Sequence, residues 1–211
     1  MKLALLRHGP TEWNAQGRIQ GHTDIPLSSA GRAKLAALRL PDTLVGSRVF
    51  SSPLLRARQT AQALDLADPL LDARLMEQNW GQWEGLTRAQ ILERYGADAF
   101  EKAGASRREE FRPPGGESTG EVHARVAAFL RDISRDAASA VAVAHMGVLR
   151  AAYALATGWA MDSPMPARLD VSRILVLELL PNGEPAIAAL NVEFTGGRTF
   201  MPSGSFTPRK G

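Results

Sequence analysis

Lys2-Leu3-Ala4-Leu5-Leu6-Arg7-His8-Gly9 is the stretch that decides the fold class. Four consecutive apolar residues end on an arginine, a histidine and a glycine. A short unbroken apolar run reads as a strand buried on both faces. The pattern returns as Ala140-Val141-Ala142-Val143-Ala144-His145-Met146-Gly147, again closing on a histidine. Arg48-Val49-Phe50-Ser51 is a further short strand, and Leu70 to Met76 is expected to be extended. Arg173 to Leu180 and Ala186 to Val192 form two late strands joined by a turn at Pro181-Asn182-Gly183.

Helical signals fill the spaces between these runs. Leu27, Ala30, Leu35 and Leu38 predict a helix from Ser28 that Pro41 ends. Pro53 opens another that runs to about Leu66. Thr87-x-x-Gln90 and Ser118-x-x-Glu121 are capping boxes. The first begins a helix ending near Gly96. The second begins one whose Val122, Val126, Phe129, Leu130 and Ile133 share an apolar face. Gly147 to Thr157 is helical and Gly158 stops it. Asn14 to Pro26 and Phe111 to Glu117 read as loops, and 97–111 as a short helix followed by loop. Strands alternating with helices predict a layered α/β domain with a mostly parallel sheet. Residues 1–195 read as one domain, with a less regular, lid-like inserted segment at about 77–117. The Gly-, Ser- and Pro-rich 196–211 reads as a loose tail.

Composition narrows the function. The chain has 211 residues, 45% hydrophobic and 22% charged, which excludes wholesale disorder. It has no cysteine, which excludes disulfides, cysteine-bound zinc, iron–sulfur clusters and a catalytic thiol. No apolar run approaches the ~18 residues of a membrane span. The N-terminus turns polar too early for a signal peptide, so a cytoplasmic protein is expected. The net charge is +3, and the arginines are scattered with no basic stripe, so nucleic acid is not an expected partner.

Sites in open α/β sheets lie at the carboxyl ends of strands. Arg7-His8-Gly9 and His145-Met146-Gly147 stand there, Arg56 follows a strand and a proline, and Glu77 follows the Leu70–Met76 segment. Taken singly, an arginine reads as a surface ion-pair partner and a glutamate as a solvated carboxylate. His22 and His123 have nothing recurring around them and read as structural or exposed. His8 and His145 differ, because each ends a buried run, where an unsatisfied polar group costs about 1–3 kcal/mol. Together these positions point to a phosphate site with a histidine at its centre.

The motifs carry a resemblance. Leu6-Arg7-His8-Gly9-x-Thr11-x-x-Asn14 resembles the signature of the histidine phosphatase superfamily, the phosphoglycerate mutase-like proteins. Further blocks follow in the family's order: Gly21-x-x-Asp24-x-Pro26-Leu27-Ser28-x-x-Gly31, then Ser51-Ser52-Pro53-Leu54-x-Arg56-Ala57-x-x-Thr60-Ala61. Leu75-x-Glu77-x-x-x-Gly81-x-Trp83-Glu84-Gly85, Pro114-x-Gly116-Glu117-Ser118 and Val143-Ala144-His145-x-Gly147 complete them. The resemblance implies a three-layer α/β/α sandwich. It makes His8 the nucleophile that is phosphorylated in turnover. It makes Glu77 the proton donor to the leaving group, and Arg7, Arg56 and His145 the pocket for the phosphoryl group. Asn14 matches a position lining the phosphate site, with Thr11 on the same loop. Gly147 lies at a helix start whose N-terminus can face the anion. No metal and no cofactor are expected.

These residue types suit phosphoryl transfer. A neutral imidazole attacks phosphorus and splits one hard step into two. Cationic and imidazole donors stabilise the equatorial oxygens. A carboxylic acid protonates the departing alkoxide and then activates water. Pro10 stands where many members have Glu, and Met146 where mutases often have Asn. The mutase branch carries a long insertion between the Glu77 and Glu117 regions, for which 97–114 is too short, so a monoester phosphatase is expected. The pattern is closest to the α-ribazole phosphatase-like and broad-specificity branch. A 2,3-bisphosphoglycerate-dependent mutase is the alternative, with Arg107-Arg108 as the pair that could hold its substrate carboxylate or be a solvated patch. A non-catalytic phospho-ligand or protein-docking module is the alternative of another class, and it has no need of both a nucleophile and an acid. Trp80, Trp83 and 97–115 are where substrate choice would lie, although tryptophans there could equally be packing. The expected partner is a small phosphorylated metabolite, with a homodimer possible.

Overall fold

A computed structural model describes residues 1–104, 109–136, 138–160, 165 and 167–196. Six strands form one sheet: β1 (Lys2–Arg7), β2 (Arg48–Ser51), β3 (Leu70–Leu71), β4 (Ala140–Ala144), β5 (Ile174–Leu179) and β6 (Pro185–Val192). Their order is β3-β2-β4-β1-β5-β6. β3, β2, β4 and β1 pair in parallel, whereas β5 runs antiparallel to both its neighbours. The sheet is therefore mostly parallel, as the apolar runs predict.

The helices are α1 (Glu12–Ala15), α2 (Ser29–Ala36), α3 (Leu55–Ala63), α4 (Arg88–Tyr95), α5 (Ala99–Lys102), α6 (Thr119–Ile133) and α7 (Met146–Thr157). They cover both faces of the sheet. Leu3 and Leu5 of β1 join Val122, Val126, Phe129 and Leu149 in one core cluster, beneath α6 and α7. Ala4 and Leu6 join Leu35, Ala57 and Ala61 in the other, beneath α2 and α3. β4 divides in the same way, with Ala140, Ala142 and Ala144 on one face and Val141 and Val143 on the other. The period of two along each buried strand thus supplies both cores. A third cluster around Trp83, Ile91 and Ala99 lies apart from the sheet. None of the described helices is long and apolar enough to cross a membrane.

Local signals set most boundaries. Thr87 and Ser118 each accept from the backbone N–H three residues on, and Gln90 and Glu121 each reach back to the cap. Gly158 closes α7 in the left-handed conformation at φ 67°. Four expectations need correction. α2 stops at Ala36, well before Pro41, because Arg39 leaves to bridge Thr195. α3 spans Leu55–Ala63, not Pro53 to Leu66. Asp65 takes φ 54° there, and Leu66 N–H donates to Ala61 O in a Schellman closure. Only Leu70–Leu71 of the extended segment is strand, because Asp72 caps a tight turn over Ala73–Leu75. The loop expected from Asn14 begins two residues late, since Thr11 and Asn14 form the capping box of the short α1, which runs to Ala15. The tail beyond 196 and Arg107-Arg108 lie outside the described residues.

Candidate active site

β2, β4 and β1 lie side by side and run the same way, so their carboxyl ends deliver Ser52, His145 and His8 to one edge. The ladder continues one step past the strands: His8 N–H donates to Ala144 O, and Ser52 N–H to Val143 O, each at 2.9 Å. The His8 and His145 rings are thereby held with centroids 5.0 Å apart.

A carbonyl partner fixes the tautomer of His8. His8 Nδ1 is 2.7 Å from Gly9 O, and a carbonyl only accepts, so Nδ1 carries the proton and Nε2 keeps a lone pair. His145 Nε2 is 2.8 Å from Ser52 Oγ. That hydroxyl also accepts from Leu54 N–H at 3.3 Å, and with two lone pairs and one proton it can serve His145 Nε2 as acceptor or as donor. His145 Nδ1 is buried and has no partner among the described residues. Burial pushes both histidines well below the ordinary 6.5, and the cations of Arg7 and Arg56 push them the same way. Both rings are neutral.

Arg56 comes from the second position of α3 and is fully buried. Its fork donates to Thr23 O at 3.0 Å and to Gly21 O at 2.7 Å, while Nε is unpaired among the described residues. One turn later on the same face, Thr60 Oγ1 accepts from Gly9 N–H at 2.9 Å, fixing the backbone beside His8. The Arg-x-x-x-Thr spacing thus ties α3 to both loops of the site. Arg7, the last residue of β1, also has a buried Nε that is unpaired among the described residues. Burial lowers the pKa of both arginines, and the nearby Glu77 carboxylate opposes that shift.

Glu77 Oε1 accepts from Gly147 N–H at 3.0 Å and from Gln78 N–H at 2.9 Å, which leaves Oε2 outside this pair. A Cβ on Gly147 would lie 2.3 Å from Oε1, so only glycine admits the carboxylate here. The sequence residues Arg7, His8, Arg56, Glu77 and His145 are therefore brought together. Two expectations fare differently. Gly147 gives its N–H to Glu77 instead of to an anion, and Met146 is the first residue of α7. Thr11 and Asn14 bond each other: Asn14 Oδ1 accepts from both Thr11 N–H and Oγ1–H. Thr11 is therefore committed to shaping the loop, and Asn14 retains only its Nδ2 donors. Pro10 is exposed, and its carbonyl accepts from Ser28 N–H at 2.9 Å. Trp83 packs in the third core cluster, whereas Trp80 lines a cavity beside Glu77.

Sequence reading missed the supports. Glu84 Oε1 accepts from His22 N–H and Trp80 N–H, and Oε2 from the Thr23 backbone and hydroxyl. It holds the loop whose carbonyls receive Arg56. A Cβ on Gly21 would meet Glu84 Oε1 at 1.9 Å. His22, expected to be bland, donates from Nε2 to Glu77 O at 2.8 Å. Arg125 donates to the same carbonyl at 3.2 Å and holds both oxygens of Glu117. His123 lines the cavity beside Glu77. Glu84 and Glu117 were visible only as members of motif blocks.

Known proteins resemble this chain along most of its length. Residues 3–193 match the model of the histidine phosphatase superfamily (branch 1). Phosphoglycerate mutase-like protein 4 of Arabidopsis thaliana is 34% identical over 72% of this chain and 69% of its own. Phosphoserine phosphatase 1 of Hydrogenobacter thermophilus is 34% identical over 75% of this chain and 77% of its own. A crystal structure of a candidate alpha-ribazole-5'-P phosphatase from Escherichia coli K-12 superposes with a TM-score of 0.75 at 24% identity. It covers 94% of this chain and 99% of its own, a likeness of fold.

Proposed function

The chain belongs to the histidine phosphatase superfamily, and from that premise we propose that it hydrolyses phosphate monoesters of small metabolites through a phosphohistidine. One observation carries this reading. Arg7 Nε and Arg56 Nε are buried donors without partners among the described residues, beside a neutral histidine whose Nε2 keeps its lone pair. Buried unpaired donors are costly, and a phosphoryl group supplies acceptors for both.

In the proposed reaction, His8 Nε2 attacks phosphorus and the P–O bond to the leaving group breaks. Glu77, protonated, gives its proton to the departing oxygen. Water then attacks the phosphohistidine, Glu77 takes a proton from it, and the N–P bond breaks to release phosphate. The lone pair on Nε2 exists because the ring is neutral, and the surrounding cations that keep it neutral also stabilise the equatorial oxygens. Oε2, outside the backbone hydrogen bonds, is the oxygen that carries the proton. Glu77 lines an open cavity, which suits the entry of water in the second step.

The test is phosphate release from a panel of monoesters in EDTA, with His8→Ala beside the wild type. The panel includes α-ribazole phosphate, sugar phosphates, O-phosphoserine and 3-phosphoglycerate, with 2-phosphoglycerate formation followed in parallel. Release by the wild type alone supports the reading. Isomerisation of 3-phosphoglycerate without net release makes the protein a mutase. Binding without turnover makes it a docking module.

A further inference from the structure

The peptide group between Glu77 and Gln78 is held at both of its polar ends. Its N–H, on Gln78, donates to Glu77 Oε1 at 2.9 Å. Its carbonyl, on Glu77, accepts from His22 Nε2 at 2.8 Å and from Arg125 Nη2 at 3.2 Å. A trans peptide is planar, with C=O and N–H pointing opposite ways. Whatever fixes this carbonyl therefore also fixes the direction of the N–H. That N–H is one of the two that seat the Glu77 carboxylate, Gly147 N–H being the other. Donors on the carbonyl also polarise the peptide and strengthen its N–H as a donor.

The two donors come from different parts of the molecule. His22 stands in the loop whose Gly21 and Thr23 carbonyls receive Arg56, and its own N–H is tied to Glu84 Oε1 at 2.8 Å. A carbonyl only accepts, so His22 Nε2 carries a proton whether the ring is neutral or charged. Arg125 projects from α6. Its Nε and Nη2 donate to the two oxygens of Glu117 at 2.7 and 3.0 Å, a bidentate grip that aims the fork. Both side chains of that pair are only 17% exposed, so it is no solvated surface contact. Nη1 donates to Arg74 O at 2.6 Å, so Arg125 spans the carbonyls of Arg74 and Glu77. A continuous chain of contacts thus runs from Arg56, through the 21–23 loop and His22, to the peptide that seats Glu77 Oε1.

We propose that His22 and Arg125 are positioning residues for Glu77. By locking the plane of the Glu77–Gln78 peptide they hold the acid in register with the phosphoryl pocket, so that Oε2 meets the leaving oxygen. This rests on the phosphatase reading and adds two residues to it. Loss of either donor frees the peptide to rotate, takes Gln78 N–H off Oε1 and lets the carboxylate swing. Attack by His8 Nε2 uses neither residue, so the defect is confined to protonation of the leaving group.

The test is a ratio: kcat/KM on the panel's best alkyl ester over kcat/KM on p-nitrophenyl phosphate, whose leaving group needs no proton. General damage lowers both rates and leaves the ratio in place, whereas a misplaced acid lowers the ratio. His22→Leu and Arg125→Met are each expected to lower it about tenfold. His22→Gln, which keeps an N–H donor near the Nε2 position, and Arg125→Lys should recover part of the loss. Glu117→Gln keeps Arg125 but loosens its aim. It should show the same fall in smaller degree, and it carries the test if an apolar variant does not fold. In a Glu77→Gln background neither His22→Leu nor Arg125→Met should lower the ratio further, because the acid is already gone. If Glu77→Gln lowers the ratio while the other variants, folded by circular dichroism, keep the wild-type value, the inference fails and the phosphatase reading stands. A further fall in the Glu77→Gln background also overturns the inference, since the two residues then act elsewhere. A wild type that hydrolyses no ester overturns both.

Discussion

Gly9 O decides which nitrogen of His8 meets a phosphoryl group, and the two N–H groups on Glu77 Oε1 decide which of its oxygens is left to carry a proton. The consequence is measurable through the leaving group. An alkoxide needs protonation as it departs, whereas p-nitrophenolate does not. Glu77→Gln is therefore expected to lower kcat on alkyl phosphates by roughly 10²–10⁴ and to cost far less on p-nitrophenyl phosphate. Equal losses on both would show that Glu77 is not the acid. Glu84 works one layer out. Removing it leaves the N–H groups of His22, Thr23 and Trp80 without their acceptor and frees the loop that Arg56 grips. Glu84→Ala should lose roughly 1–3 kcal/mol in urea unfolding and should raise the Ki for inorganic phosphate. Unchanged phosphate affinity would mean that the loop does not set Arg56. At this scale the sequence was legible for Arg7, His8, Arg56, Glu77 and His145, because each ends a strand, opens a helix or sits in a fixed motif. It read His22 only as structural or exposed and was silent on Arg125. Their partner is a backbone carbonyl of Glu77, 55 and 48 residues away, and such contacts leave no local pattern.

β4 passes into α7 with no loop, and His145 is itself the N-cap residue. The helix start is therefore fixed relative to the sheet, and Glu77 is fixed to the helix start through Gly147 N–H. Gly147→Ala tests this coupling, since its new Cβ would lie 2.3 Å from Oε1. Alanine is a better helix former than glycine by about 1 kcal/mol, yet the carboxylate must move. The expected result is a protein of near-unchanged Tm with at least a tenfold lower kcat on alkyl phosphates, by loss of alignment. A variant as active as the wild type would show that Glu77 needs no such seat. Elements with caps within a few residues were readable: both capping boxes, the apolar face of α6 and the Gly158 stop. α2, α3 and the Leu70–Met76 segment were misjudged because their ends are set elsewhere. Thr195 draws Arg39 away, Asp65 adopts a conformation usual for glycine, and Asp72 folds over its own following turn.

For the whole molecule, strand order was the missing quantity. The runs announced strands, but only the order β3-β2-β4-β1-β5-β6 sets β1 beside β4 and brings two histidines to one edge. That placement buries both rings among cations, and it makes stability depend on pH. His8 and His145 have folded pKa values well below 6.5. In the unfolded chain both take up protons as pH falls through about 6.5, while in the folded protein both stay neutral. The unfolded state then binds more protons, so stability falls as pH falls, by up to about 1.4 kcal/mol per pH unit for each histidine. The loss begins near the unfolded pKa and ends where the folded pKa values are reached. Above about pH 7 neither state is protonated and the term vanishes. Urea unfolding in phosphate-free buffer between pH 7.5 and pH 5.5 (an assay range set on the order of one unit either side of the unfolded pKa) should show this slope. His8→Gln should lose about half of it, because one titrating group of the pair is gone. A slope identical in wild type and variant would place the pH dependence in other groups and remove the case for a neutral His8.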